Sequence, residues 1–124
     1  MAENRLEEDP VSPKSAPRLL AGYRALDLTD RKGQLCGRML ADLGVDVLKI
    51  ESPDGDPVRT APPYVGDTSL AFAHLNANKR IHGLDLQISE HRERLRELVV
   101  QADILIESGA AGGLAKLDLG YEQL

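Results

Sequence analysis

Leu43-Gly44-Val45-Asp46-Val47-Leu48-Lys49-Ile50-Glu51 is the stretch that decides the fold. Leu35, Cys36, Met39, Leu40 and Leu43 precede its glycine at the spacing of one helical stripe. Gly44 then stands where a helix ends in left-handed backbone, which glycine adopts without strain. Residues 45–50 are rich in β-branched side chains and apolar on both faces apart from Asp46 and Lys49, the pattern of a parallel strand covered on two sides. Upstream, residues 23–28 read as a short strand, and Thr29-Asp30-Arg31-Lys32-Gly33 as a turn with helix-start residues. The unit is strand–helix–strand, and its crossover is expected to be right-handed.

Downstream, a loop from Ser52 to about residue 67 holds Pro53, Gly55, Pro57, Pro62, Pro63 and Gly66; a loop this long in a compact domain is usually functional or covers something. Residues 69–75 predict two helical turns, and residues 80–86 a third strand. Ser89 is read as the N-cap of a helix reaching about Gln101, with Leu95, Leu98, Val99 and Ala102 on its buried side. Residues 103–107 predict a fourth strand, 108–113 a turn of small residues, and 114–117 the start of a short helix. Strands and helices alternate, so the class is α/β with a mostly parallel sheet. Residues 1–18, with Pro10, Pro13, Pro17 and many charges, read as a flexible tail, leaving 19–124 as one domain.

Composition narrows the function. Fifteen basic against twenty acidic residues give a net charge of −5, which argues against general nucleic-acid binding. One Phe, three Tyr and no Trp make a base-stacking platform a poor fit. Cys36 alone makes no intrachain disulfide, which suits a reducing cytoplasm. Glu3, Glu7, Glu8 and Asp9 stand where a signal peptide needs a basic start, and no apolar run spans a bilayer. A cytoplasmic location is expected.

In open parallel sheets, ligands bind outside the carboxyl ends of the strands. Four such ends are legible: Asp27 to Lys32, Glu51-Ser52, Asp85-Leu86-Gln87 and Glu107-Ser108-Gly109-Ala110. Strand-end loops are polar in any case, because they carry free backbone groups, so binding and plain solvation both stay open. Arg31 and Lys32 precede a helix N-terminus, a phosphate site in one reading and solvated charges in the other. The first turn has Gly33 and Gly37 but no Gly-x-Gly-x-x-Gly, which excludes an ordinary dinucleotide fingerprint despite Glu51 at the second strand's end. His74, His82 and His91 share no metal-ligand spacing, and no metal is expected. Cys36, on the apolar stripe, reads as a packing residue. Asp27, Asp85 and Glu107 are carboxylates at strand ends with nothing to mark one as a nucleophile.

Several segments, in fixed order, extend the reading. They are Leu20-Ala21-Gly22 with Ala25-Leu26-Asp27-Leu28-Thr29, then residues 40–51, Pro53-Asp54-Gly55-Asp56-Pro57-Val58-Arg59, and Asn76-Ala77-Asn78-Lys79-Arg80. Leu84-Asp85-Leu86, residues 102–107 and Leu119-Gly120-Tyr121-Glu122-Gln123-Leu124 complete the series. From about Leu20 onward the chain resembles the class III coenzyme A transferases, the CaiB/BaiF family. The resemblance implies a Rossmann-like domain that holds much of coenzyme A, within an enzyme moving coenzyme A between an acyl thioester and a carboxylic acid. The reaction it implies uses a nucleophilic aspartate that forms an anhydride and then an enzyme-bound thioester. That aspartate is expected beyond Leu124, so no catalytic residue is assigned here. The coenzyme A–binding positions it implies are Arg31, Lys32, Ser52, Leu84, Asp85, Leu86, Gln87, Ser108, Gly109, Ala110 and Lys116.

Against the family pattern, Ser52 stands where an Arg is common, Gln87 where a Lys is common, Ser108 for Asn, and Lys116 for Arg. The stretch after the first strand is one residue short. Loss of two cations is expected to weaken the hold on a triphosphorylated nucleotide, since charge-assisted contacts are the strong ones. The resemblance also implies an interlocked dimer. Alternatives are a segment of an α-methylacyl-CoA racemase-like enzyme, or a non-catalytic partner subunit or degenerate half. The partners expected are acyl-CoA, a carboxylic acid, and the remainder of the transferase or a partner chain. Exposed apolar surface and self-association are expected of the isolated chain.

Overall fold

The computed structural model describes residues 18–124, so all of the expected tail except Arg18 lies outside the described residues. In chain order the elements are β1 (Arg24–Leu28), α1 (Gln34–Asp42), β2 (Asp46–Glu51), β3 (Tyr64–Val65), β4 (Thr68–Ser69), α2 (Leu70–Asn76), β5 (Arg80–Gly83), α3 (Ser89–Val100) and β6 (Ile104–Glu107). Strands β5-β2-β1-β6 form one sheet in that order, and every pairing in it is parallel. The expected α/β class with a parallel, helix-flanked sheet is what the chain adopts.

Register sorts the side chains. Leu26 faces Leu48 across β1 and β2, Ala25 faces Val47, and Asp27 faces Lys49. Because successive strand residues point to opposite faces, the leucines go to one side and Ala25, Asp27, Val47 and Lys49 to the other. On the first side Leu26, Ile50, Leu84, Leu95 of α3 and Leu119 form a buried apolar cluster. On the second, Ala25, Val45 and Val47 pack with Ala41 of α1.

α1 lies where its pattern predicts but turns the other way. Gln34, Gly37 and Ala41 are its buried residues, whereas Leu35, Met39 and Leu43 are exposed and Met39 keeps 59% of its surface. Cys36 is exposed too, and is not a packing residue. The cause lies beneath the helix: a Cβ on Gly37 would run into the buried carboxylate of Asp27. Glycine at that position lets α1 close over a buried carboxyl group, and its small and polar side meets the sheet.

Gly44 has φ +105°, and its N–H bonds to the carbonyl of Ala41 while that of Val45 bonds to Leu40, each at 3.0 Å. The expected left-handed helix end is therefore present. β5 is shorter than residues 80–86. Its one neighbour among the described residues, β2, ends at Glu51, whose carbonyl takes a last bond from Leu84 N–H at 2.9 Å, and beyond it no described strand is there to pair with. Ser89 is the first helical residue, not the cap: Ile88 holds the extended cap position, and the Ser89 hydroxyl donates to Glu90 at 3.0 Å. The Pro-rich loop contains a 3₁₀ turn, Pro57–Thr60, and the antiparallel β3–β4 pair. Asp56 caps the turn by accepting from Val58 N–H at 2.8 Å, and Ser69 caps α2 by accepting from Phe72 N–H at 3.2 Å. The short helix after the small-residue turn is a 3₁₀ turn over Ala115–Leu117. No helix among the described residues is long and apolar enough to cross a membrane.

Candidate functional site

A parallel sheet puts all its strand C-termini on one rim, and the tips of β2, β5 and β6 meet there around a cavity of about 610 Å³. That volume lies within the usual range for small-molecule sites, about 300–1,000 Å³. Ser52, Pro53 and Asp54 after β2 form one wall, and Leu84, Asp85, Leu86 and Gln87 after β5 another. Glu107 and Gly109 follow β6, and Leu28 and Ile50 complete the floor. The chain reverses after β6, with Gly113 N–H bonded to Ala110 at 2.8 Å and Gly112 at φ +73°. That reversal brings Leu114 and Leu117 into the lining.

The wall after β5 is fixed from α3. His91 Nδ1 accepts from Asp85 N–H at 2.9 Å, and Arg92 donates to the carbonyls of Leu86 and Gln87 at 2.9 and 3.0 Å. Asp85 accepts from Gln87 N–H, and Glu107 from Gly109 N–H, at 2.9 and 2.8 Å. The cavity therefore has an apolar floor and a rim of hydrogen-bond acceptors: Asp54, Asp85 and Glu107. Among the described residues its lining contains no Lys or Arg.

Of the positions expected to contact a ligand, Ser52, Leu84, Asp85, Leu86, Gln87 and Gly109 share this cavity. Ala110 lines an adjoining apolar groove with Leu105, Leu119 and Leu124. Lys116 is exposed on its 3₁₀ turn and lines neither. Ser108 instead ties the β6 tip to the turn after β1. Its hydroxyl donates to Asp30 Oδ1 at 2.7 Å and accepts from Asp30 N–H at 2.9 Å. That hydroxyl, with the backbone N–H of Lys32 next in weight, holds the Asp30 carboxyl below its ordinary pKa. Lys32 pairs with Asp30 at 3.3 Å, and neither Arg31 nor Lys32 lines the cavity. Asp54, Gly113, Leu114 and Leu117 complete the lining without having been singled out; the apolar i, i+3 pair after two glycines is the signal for the last two.

Behind the cavity, on the α1 face of the sheet, lies a buried polar network. Lys79 Nζ donates to Asp27 Oδ2 at 2.7 Å, the Gln34 carbonyl at 2.8 Å and Asn76 Oδ1 at 2.9 Å. Asn76 donates to Gln34 Oε1 at 3.1 Å, and Gln34 in turn donates to Asp56. Lys49 closes the chain, at 2.8 Å from Asp56 and 3.1 Å from the Thr29 carbonyl. Asp27 Oδ1 accepts from the N–H and the hydroxyl of Thr29 at 2.9 and 2.5 Å. Among the described residues no buried side-chain polar atom lacks a partner, as a dry charged cluster requires. Burial holds Lys79 below its ordinary pKa, with Asp27 opposing the shift.

This network positions the wall formed by Ser52, Pro53 and Asp54. Before that wall, Glu51 accepts both oxygens' bonds from Arg59 Nε at 3.1 Å, and Arg59 lies 3.9 Å over the Phe72 ring. After it, Asp56 is held by Lys49 and Gln34. Among the described residues no His, Cys, Asp and Glu side chains group as metal ligands.

The sequence profile of CoA-transferase family III matches residues 20–124. Succinyl-CoA:mesaconate CoA-transferase of Haloarcula hispanica is 43% identical over 111 residues, covering 85% of this chain and 28% of that protein. Succinyl-CoA:(R)-benzylsuccinate CoA-transferase subunit BbsE of Thauera aromatica is 39% identical over 107 residues, or 82% of this chain and 26% of that one. Among solved structures, a CAIB/BAIF family protein from Brucella suis superposes with a TM-score of 0.77 at 38% identity, covering 83% of this chain and 29% of that one. The chain thus spans under a third of the length of these relatives.

Proposed function

The chain belongs to CoA-transferase family III, and on that premise we propose that residues 19–124 form the coenzyme A–binding domain of an enzyme that moves coenzyme A between an acyl-CoA thioester and a carboxylic acid. The observation that supports this most is the convergence of Ser52, Leu84, Asp85, Leu86, Gln87 and Gly109 on one cavity at the sheet's C-terminal rim. These residues come from three separate strand ends, and the resemblance assigns all six to the same ligand. The apolar floor suits a ring face or an alkyl chain, and the acceptor rim suits amine, amide and hydroxyl donors.

The role assigned to this chain is binding. Asp27, one of the three strand-end carboxylates, is locked against Lys79 and Thr29 and is wholly buried. The nucleophile is assigned to further transferase polypeptide, which is also the proposed partner; the outward apolar stripe of α1, Leu35, Met39 and Leu43, supports such an association.

Calorimetric titration with coenzyme A tests the reading. Saturable binding tighter than about 1 mM is expected, and Ser52→Trp, at an exposed wall position, is expected to weaken it at least about tenfold by filling the mouth. Absence of heat in the wild-type chain at millimolar ligand overturns the binding role.

A further inference from the structure

We infer that the cavity discriminates against the 3′-phosphate of coenzyme A and takes the 3′-dephospho form at least as well; this rests on the nucleotide end occupying the cavity, as proposed above. Among the described residues, three carboxylates, Asp54, Asp85 and Glu107, line it, and no Lys or Arg does. Of the cations near it in sequence, Arg31 and Lys116 are exposed and stand outside the lining, and three others are committed elsewhere. Lys32 is bound to Asp30, Arg59 to Glu51, and Arg92 to the carbonyls of Leu86 and Gln87. Asp85 and Glu107 each take one backbone N–H from their own turn, which holds the carboxylates in place as acceptors facing the ligand space.

Such a rim recognises donors. The exocyclic amine of adenine and the ribose hydroxyls are donors; a phosphate dianion is an acceptor and a like charge. In coenzyme A the 3′-phosphate sits on the same ribose as the base, so a nucleoside end that enters the cavity carries that phosphate in with it. The diphosphate, on the other side of the ribose, is free to leave through the mouth to solvent. Removing the 3′-phosphate exposes a ribose hydroxyl, which converts a repelled group into a donor.

The test is calorimetric titration of the full chain with coenzyme A and with 3′-dephospho-coenzyme A, in the wild type and in Asp85→Asn and Glu107→Gln. Both substitutions keep an oxygen for the turn's N–H, and Glu107 is exposed, so its variant is expected to fold even if the Asp85 variant does not. Expected are a dephospho affinity equal to or tighter than that for coenzyme A, and a gain of about threefold in coenzyme A affinity on removing either charge, with a smaller gain for the dephospho ligand. Coenzyme A binding threefold or more tighter than the dephospho form in the wild type means a cation reads the phosphate, and overturns the inference while leaving the proposed function standing. Equal gains for the two ligands in Glu107→Gln overturn it as well. Binding of neither ligand overturns the proposed function, and the inference with it.

Discussion

The two faces of the one sheet are held by opposite chemistry. Under α3, Leu26, Ile50, Leu84, Leu95 and Leu119 make a dry apolar cluster. Under α1 and α2, the same strands present Asp27 and Lys49, which meet Lys79, Gln34, Asn76 and Asp56. Asp27 and Lys49 face each other in register, yet each takes its charge partner from another segment, Lys79 and Asp56 respectively. The difference teaches what each face can do. An apolar face is non-directional and tolerates shape-conserving change. A polar face fixes particular loops to particular strands, because each donor has one set of acceptors. Here it fixes Asp56 and the segment after Asn76, so the directional face carries one end of the cavity wall while the apolar face supplies the floor.

The largest effect should come from breaking the polar face. Lys79→Met keeps the length and loses the charge, leaving Asp27 buried without its cation. Removing one partner of such a pair typically costs about 3–5 kcal/mol, against a total stability of about 5–15 kcal/mol for a domain. Urea unfolding is expected to show that loss. The double variant with Asp27→Asn should lose less than the two single variants together, since no charge is then stranded. Additive losses would mean that the network is not a unit. The pH dependence is a second check. With Lys79 held below its ordinary pKa, the unfolded chain binds more protons between the lowered value and the ordinary one, so stability rises with pH in that alkaline window. Lys79→Met should abolish this rise.

On the apolar face the expected loss is smaller and follows volume. Leu95 is completely buried, and Leu95→Ala should cost about 2–5 kcal/mol, the spread depending on how far the cluster closes. Leu95→Met should cost under about 1.5 kcal/mol. Equal losses for Met and Ala at this position would show that shape, not burial, governs this face, and would erase the contrast with Lys79.

Sequence pattern captured the apolar face and the order of elements, because both follow from periodicity. The strand centred on Val47 and the glycine stop at Gly44 are visible without coordinates. Three strand ends of the cavity were legible for the same reason, since a parallel sheet aligns its tips. The polar face was not legible. Lys79 reads as a basic residue in a polar turn, and nothing local says that it inserts beneath α1 to reach Asp27, 52 residues earlier. The inverted orientation of α1 has the same origin: its stripe was apolar and correctly spaced, but the deciding contact, Gly37 over Asp27, is tertiary. Residues 84–86 read as strand in the sequence because their apolar side chains look the same whether they pair or line a cavity.

Between the two faces, at the solvated rim, Ser108 and Asp30 should give the smallest effect. The Ser108 hydroxyl is the chief reason that the exposed Asp30 carboxyl is held below its ordinary pKa. A carboxyl lowered in this way adds stability that is present above its unfolded pKa and is lost as pH falls through the folded value. Ser108→Ala should therefore raise the Asp30 pKa toward the ordinary carboxylate value and shrink that acid-side loss, as a small drop in stability at neutral pH that vanishes at low pH. Carboxyl-carbon NMR titration of Asp30 in the two chains reads the shift directly. The Lys32 backbone N–H also contributes, so part of the lowering should survive the substitution. An unchanged Asp30 would show that solvent already dominates at the rim, so that the directional bonding of the α1 face stops short of the tips of β1 and β6.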